Sequence, residues 1–291
     1  MTLQNMLLRI PVIVRAVVIG FLVTAAMTVP WAMLVSVNLK HWPAIPWSAL
    51  VTAPLLWFYW KYLTVPSRRA NLRVQPLSSG VWGMSLMAGM IGLGALLAFQ
   101  AVLARLVSLP PEQEKLDLSN VPALTLLILV VMGSVVAGVT EEAGFRGYMQ
   151  GMIERRHGLA IAILVSGTVF GFAHFSHRNV SFGHLPYYIA ISAVFGMLAY
   201  LTGSIMPGLV LHAFGDTFEG VLLVASGRST WPESAESTRL VWESGPDLAF
   251  WGLCAWAMLW ILGAVAAYRA LAHEVRTEGR VMTARTIAEV R

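Results

Sequence analysis

The chain of 291 residues is 57% hydrophobic and only 12% charged, with a mean hydropathy of +0.69. Soluble domains carry about 25% charged residues, so this composition excludes an ordinary soluble protein and indicates a polytopic membrane protein. The formal net charge is +5. Because the basic residues lie mainly in short connectors between apolar stretches, we attribute this excess to membrane topology and expect no nucleic-acid partner.

Largely uncharged stretches of about 20 residues are long enough to cross the hydrocarbon core of a bilayer as helices. Such stretches recur along this chain and predict an all-α, polytopic transmembrane bundle of about eight spans. In chain order, the predicted spans are residues 12 to 36, 47 to 64, 80 to 104, 122 to 150, 158 to 176, 185 to 202, 205 to 225 and 247 to 268. The lipid bilayer is therefore an expected partner.

The basic residues favour one orientation of this bundle. If the N-terminus lies inside, the inner segments hold twice as many lysine and arginine residues as the outer segments. By the positive-inside rule, we expect both termini in the cytoplasm. For a bacterial protein, this predicts an integral, multi-pass location in the inner membrane of the cell.

We expect one integral membrane domain, residues 1 to 291, because no linker or internal repeat divides the chain. Residues 1 to 120 contain the first three spans, which we interpret as a scaffold. Residues 121 to 225 contain the charged motifs described below, and residues 273 to 291 form a predicted cytoplasmic tail. The single Cys254 lies in the last apolar stretch, so no intrachain disulfide is expected.

The fourth predicted span ends in a charged group, Glu141, Glu142 and Arg146. A charge inside hydrocarbon costs roughly 3 kcal/mol, so such a group is a candidate functional site. Residues four apart share a helix face, and Glu142 and Arg146 are therefore expected to pair. Glu141 points elsewhere, between Gly138 and Gly144, where another helix or a substrate can approach. The alternative is that the three residues only cap the inner end of the span.

Two further spans each carry a pair of residues four apart. The fifth span has Phe170 and His174, and the seventh has His212 and Asp216. A lone histidine near the end of a membrane helix is often interfacial or part of the core, which is the structural alternative for His174. A histidine and an acid together in one apolar helix favour a functional role. The roles of Glu219, His177 and the C-terminal tail stay open.

The depth of these residues tests whether they can meet. At 1.5 Å per residue, Glu141 and His174 lie roughly 20 and 25 Å from the connector between their spans, so they can face each other. His212 would be only about 12 Å deep if its helix began at the membrane surface. The connector at 203 to 208 must then be re-entrant, which requires protein or water to cover its backbone.

Three motifs in this order resemble one known family. EEAGFR at 141 to 146 matches EExxxR, FGFAH at 170 to 174 matches FxxxH, and HAFGD at 212 to 216 matches HxxxN/D. Together they resemble the CPBP intramembrane proteases, which include the type II CAAX prenyl endopeptidases and the Abi bacteriocin-immunity proteins. The resemblance implies an intramembrane endopeptidase that acts on a membrane-associated protein or peptide. It leaves the substrate, and whether prenylation is required, open.

The resemblance also implies roles for individual residues. Glu141 would activate the attacking water, His174 would help to hold it, and His212 and Asp216 would stabilise the oxyanion. Members of the family often have Asn at the position of Asp216, and an ionised Asp repels an oxyanion. Asp216 is then protonated, orients His212 or binds a metal. The supporting residues are Glu142, Arg146 and Phe170.

Two mechanisms and two other function classes stay open. Glu141, His174, His212 and Asp216 form a suitable Zn²⁺ set with room for a bound water, whereas the resemblance also implies a metal-free glutamate mechanism. Because no motif is HExxH, we favour no cofactor over Zn²⁺. The other classes are a proton-coupled transporter, since buried Glu, His and Asp mark ion pathways, and a non-catalytic immunity or scaffold protein.

Overall fold

A computed structural model describes residues 10 to 108, 118, 120 to 175, 180 to 226 and 240 to 289, with side chains as far as residue 279. Within these ranges the protein is all-α, as predicted. The helices are α1 Val12–His41, α2 Trp47–Leu63, α3 Pro66–Leu72, α4 Ser79–Leu106, α5 Ala123–His157, α6 Leu159–His174, α7 Leu185–Thr202, α8 Met206–Ala225, α9 Val241–Ser244 and α10 Leu248–Glu289.

Six of these helices, namely α1, α4, α5, α7, α8 and α10, are long and apolar enough to cross a bilayer. The protein is therefore an integral, multi-pass membrane protein. The shorter helices α2 and α6 coincide with the other two predicted spans. The number of membrane crossings and the side on which the termini lie stay predictions. The last helix continues to Glu289, so the predicted tail extends the final span as a helix.

Helices α4 and α10 pack against each other along an extensive interface. At one end, Arg105 of α4 pairs with Asp247, with Nη2 and Oδ2 3.0 Å apart. At the other end, Ser78 Oγ donates to Glu278 Oε2 over 2.9 Å. The two helices therefore run antiparallel, and they form a pair beside the helices that carry the predicted motifs.

The helix α5 changes its winding where the first motif begins. It is α-helical over Ala123–Glu141, π-helical over Glu142–Gln150 and α-helical again over Gly151–His157. The π-helical segment packs closely against α1, because a Cβ atom at Gly144 would lie only 2.6 Å from the carbonyl oxygen of Gly20. Such segments are rare and occur frequently at functional sites.

The connector between α7 and α8 is covered by protein. Gly203 adopts a left-handed φ of 63°, and the next two residues, Ser204 and Ile205, are buried. The Ile205 N–H donates to the carbonyl oxygen of Arg73 over 2.8 Å. The Arg73 side chain in turn pairs with Glu154 near the end of α5, at 2.6 Å. Protein therefore covers the backbone of this connector, which is the condition for a re-entrant connector ahead of His212.

Candidate active site

His212 lies among three carboxylates contributed by α5 and α8. Its Nδ1 atom is 3.1 Å from Glu142 Oε1. Its Nε2 atom is 3.6 Å from Glu141 Oε2 and 3.6 Å from Asp216 Oδ2. Phe195 of α7 stacks on the imidazole, with ring centroids 5.3 Å apart and an interplanar angle of 10°. The ring is therefore held at one nitrogen and on one face, and its second nitrogen points towards the other two carboxylates.

The predicted pair of Glu142 and Arg146 is present and completely buried. Arg146 Nη1 is 3.3 Å from Glu142 Oε1, and the two side chains are 1% and 0% exposed. Arg146 Nη2 also donates to Ser192 Oγ of α7 over 3.3 Å. Because the same oxygen of Glu142 contacts His212 Nδ1, this carboxylate does more than neutralise the arginine. It joins the first motif to the third.

The Arg146 guanidinium also lies against two aromatic rings. Its Cζ atom is 4.6 Å from the centroid of Phe170 and 5.4 Å from that of Phe195. Phe170 packs against the His174 ring with centroids 4.4 Å apart, while Phe195 stacks on His212. Cations are attracted to aromatic faces, most strongly where water is excluded. Arg146 therefore supports the rings next to both predicted histidines.

His174 borders the same region from α6. Its Nδ1 atom is 2.8 Å from the carbonyl oxygen of Phe170. A carbonyl only accepts hydrogen bonds, so Nδ1 carries the proton and Nε2 is the basic nitrogen of the neutral ring. The ring lies beside Tyr188 of α7, with centroids 4.7 Å apart. His174 is thus enclosed by aromatic rings from α6 and α7.

Exposure of the side chains shows which way the site opens. Glu142 is 0% exposed, His212 8%, Glu141 16% and Asp216 43%. The carboxylates around His212 therefore range from fully enclosed to partly accessible. Glu141 and Asp216 keep accessible surface, whereas Glu142 contacts protein groups.

A glycine in α8, Gly208, leaves room for the Glu142 side chain. A Cβ atom at Gly208 would lie 2.9 Å from Glu142 Oε2, which is buried and has no hydrogen-bond partner among the described residues. Gly215, seven residues further along the same helix, has open space at the corresponding position. Gly208 is therefore part of the site.

The zinc alternative receives no support from the arrangement of these side chains. In the part of the chain that the structure describes, no group of three His, Cys, Asp or Glu residues is placed to hold a metal ion. Both predicted histidine ligands direct Nδ1 towards a protein acceptor, the Phe170 carbonyl for His174 and the Glu142 carboxylate for His212, which leaves Nε2 as the available nitrogen of each ring. Zn²⁺ stays an alternative to the metal-free mechanism.

Several residues of the site carry no signal in the sequence. Phe195 and Ser192 lie in an apolar helix without a charged motif, and Tyr188 is one of several aromatic residues near its start.

The sequence leaves the roles of Glu219 and His177 open, and the structure describes only the first of them. Glu219 is exposed and interacts electrostatically with Tyr187, as does Asp216. His177 lies outside the described residues.

One comparison with known proteins gave a match. Residues 123–218 match the family model described as type II CAAX prenyl endopeptidase Rce1-like. The match begins with α5, ends within α8 and contains all three motifs, over about a third of the chain. Neither the curated proteins nor the solved structures gave a match. The predicted resemblance is thus confirmed over residues 123–218, which are similar to the type II CAAX prenyl endopeptidases.

Proposed function

We propose that this protein is an intramembrane endopeptidase in which Glu141 activates water for attack on a peptide bond of a membrane-associated substrate. The family match supports endopeptidase activity in general. One observation supports the assignment of Glu141 as the residue that activates water. Its carboxylate is partly exposed and lies 3.6 Å from His212, whereas the adjacent Glu142 is enclosed by protein partners.

The proposed reaction begins with a water molecule held by Glu141 and Nε2 of His174. Glu141 takes a proton from this water while its oxygen attacks the carbonyl carbon of the substrate. The carbonyl oxygen becomes an oxyanion as its double bond opens. When the tetrahedral intermediate collapses, the carbon–nitrogen bond breaks and Glu141 returns the proton to the leaving amine. Glu141 is therefore base and acid in turn.

His212 is the proposed donor to the oxyanion. In its doubly protonated form it keeps Nδ1–H on Glu142 and presents Nε2–H to the developing charge. Loss of one such donor costs about 3 kcal/mol in other hydrolases. The stacked Phe195 ring and the Glu142 contact hold the imidazole before substrate arrives. Oxyanion stabilisation requires such preorganised donors, because no energy is then spent on reorienting them during the reaction.

Asp216 has a separate proposed role as an orienting residue for His212. Its Oδ2 atom is 3.6 Å from His212 Nε2, and its side chain is the most accessible of the group. Since an ionised carboxylate repels an oxyanion, we expect Asp216→Asn to retain activity and Asp216→Ala to lose about tenfold, a typical loss for one weakened polar contact. Complete loss in Asp216→Asn would contradict this role.

A direct test is cleavage by the full chain purified in detergent. Substrates are peptides tethered to micelles, in matched pairs with and without a prenyl group, and mass spectrometry identifies the products. We expect endoproteolytic cleavage by the wild type and none by Glu141→Ala. The control is Glu243→Gln, an exposed glutamate in α9. Full activity in Glu141→Ala would overturn the assignment of the base. Absence of cleavage together with pH-gradient-driven flux in proteoliposomes would favour the transporter.

The same assay tests metal dependence. We expect activity to persist after dialysis against a chelator, because Glu141 is the proposed base and no motif of the chain is HExxH. Loss of activity that Zn²⁺ restores would contradict the metal-free mechanism. The comparison needs wild type dialysed without chelator as its control.

A further inference from the structure

A long groove opens between α4, α7 and α10. Its volume is about 550 Å³, and its lining is almost entirely apolar. On α7, the lining residues Ala190, Ala193 and Met197 follow one another at helical spacing. Phe195, which packs against His212, lies on a different face of the same helix. The groove is therefore separate from the candidate active site.

The length of the groove matches one leaflet of a membrane. On α10 it extends from Ile261 to Ala272, and on α7 from Ala190 to Leu201. Eleven residue steps correspond to about 16 Å of helix. The hydrocarbon core of a bilayer is about 30 Å thick, so one leaflet spans about 15 Å. A membrane-spanning helix of a partner would need a surface about twice as long, whereas a single acyl chain fits this length.

Small residues create the space. Gly92 of α4 lies opposite α7 and α10, where a Cβ atom would be 3.1 Å from both Tyr268 Oη and Val194 Cγ1. Tyr268 donates its hydroxyl proton to the carbonyl oxygen of Val194 over 2.8 Å, which satisfies the polar group in the wall. The groove thus has a fixed framework and an apolar interior.

Positive charge lies at one end of the groove. Arg269 lines it and is exposed, and among the described residues its guanidinium forms no hydrogen bond or ion pair. Arg276, seven residues further along α10, is also exposed and donates from Nε to the carbonyl oxygen of Ala272, another lining residue. Arg269 and Arg276 therefore lie where the apolar lining of the groove ends.

The acidic residues at this end are directed towards α4. Glu278 accepts a hydrogen bond from Ser78 Oγ, and a Cβ atom at Gly80 would lie 2.9 Å from Glu274 Oε1. Both carboxylates therefore face the start of α4. These two carboxylates therefore do not neutralise the positive charge of Arg269 at this end of the groove.

We propose that this groove binds one anionic phospholipid of the surrounding bilayer. One acyl chain lies along the stripe of Ala193 and Met197, and the phosphate group contacts Arg269. Guanidinium groups bind phosphate oxygens through paired hydrogen bonds, and basic pockets between membrane helices bind anionic head groups. This site is independent of the proposed peptidase activity.

The test uses full-length protein that is delipidated in detergent and then mixed with photo-crosslinkable phosphatidylglycerol, with the matching phosphatidylcholine as the neutral probe. The reactive group is at the end of the acyl chain. We expect labelled peptides from residues 190 to 201 and 261 to 272. Phosphatidylglycerol should label them about fivefold more strongly, the ratio expected for one arginine near an anionic head group.

Matched variants separate this site from general contact with lipid. Ala193→Phe fills the groove and should abolish the labelling, whereas Ala255→Phe, at an exposed alanine outside the groove, should not. Arg269→Gln should remove the preference for phosphatidylglycerol, and Arg269→Lys should keep it. Arg156→Gln, an exposed arginine elsewhere, is the charge control. Thermal unfolding confirms that each variant is folded, and Ala264→Phe replaces Ala193→Phe if the latter is not.

Three results would overturn the proposal. The first is equal labelling by the two lipids, and the second is labelling that Ala193→Phe leaves unchanged. The third is a crosslink from the groove to a second chain or to residues 280 to 291 in place of lipid, which would identify a different occupant.

Discussion

Glu141 and Glu142 are neighbours in the sequence, but the structure places them in two different regions of the site. Glu142, in the enclosed region, is buried with Arg146 and contacts His212. Glu141, in the open region with Asp216, keeps part of its surface accessible. The difference separates the buried, paired Glu142, which contacts Arg146 and His212, from the partly exposed Glu141, which is the proposed base.

This division follows from helix geometry. Adjacent side chains on a helix diverge by about 100°, so the two neighbouring acids meet His212 at different ring nitrogens. The π-helical segment begins at Glu142, whose carboxylate contacts Arg146 and His212 Nδ1 of α8. Glu141 is the last residue of the preceding α-helical part and faces His212 Nε2. Substitutions in the two regions should therefore fail in different ways.

The largest expected effect is the loss of activity in Glu141→Gln. Removal of a general base lowers the rate by about 10²- to 10⁴-fold. The substitution keeps the shape of the side chain in the open region, so the melting temperature should stay close to that of the wild type. Peptide cleavage and thermal unfolding in the same detergent measure both quantities. Activity above a tenth of the wild-type value would contradict the comparison, as would unfolding of the variant.

Glu142→Gln should instead lower stability, because it leaves the buried Arg146 without its counter-charge. Breaking a buried ion pair by removing one partner costs about 3 kcal/mol. The double variant with Arg146→Met should recover part of this loss, since no uncompensated charge of the pair remains. A double-mutant cycle of thermal unfolding measures the coupling. A Glu142→Gln protein with wild-type stability and no activity would remove the distinction between the two regions.

Gly208→Ala should have a smaller effect, about tenfold on activity, because overpacking in a filled interior costs 1–3 kcal/mol. The new methyl group would lie 2.9 Å from Glu142 Oε2 and displace the carboxylate from His212. Gly215→Ala is the matched control on the same helix, where a Cβ atom meets open space. Equal activities of the two variants would show that the position of Glu142 does not control the site.

The smallest effect concerns the charge pair between the buried Arg105 and the exposed Asp247, where α4 ends and α10 begins. Arg105 holds the pKa of the Asp247 carboxyl below its usual range through a hydrogen bond. A lowered pKa in the folded state means that the contact stabilises the protein above the unfolded pKa of about 4 and is lost as pH falls through the folded value.

Asp247→Asn removes this charge and keeps an acceptor for the Phe250 N–H at the start of α10. We expect its melting temperature to be slightly below that of the wild type at pH 7 and equal to it near pH 2. Thermal unfolding across this pH range measures the difference. A difference that does not change with pH would mean that Arg105 and Asp247 contribute through packing alone.

The sequence predicts those parts of the site that depend on spacing within one helix. The pairing of Glu142 with Arg146 and the packing of Phe170 against His174 both follow from residues four apart. Apolar stretches likewise predict the helices, since length and hydropathy decide which segments can cross a bilayer.

Contacts between helices could not be predicted in the same way. The meeting of His212 with both glutamates depends on a connector whose backbone is covered by Arg73, far away in the chain. The stacking of Phe195 on His212 depends on the relative rotation of α7 and α8, which no motif encodes. The winding change at Glu142 also has no distinct residue pattern, because EAGFRGYMQ is compatible with an ordinary α-helix.

The two contacts of Arg73 have a consequence for protein engineering. Its guanidinium ties the end of α5 and its carbonyl oxygen ties the start of α8, although Arg73 lies outside residues 123–218. The segment that matches the Rce1-like model thus depends on contacts with a residue outside it. We expect a chimaera that places these residues among foreign helices to need an equivalent of Arg73, so that the start of α8 keeps its position and His212 stays next to Glu141.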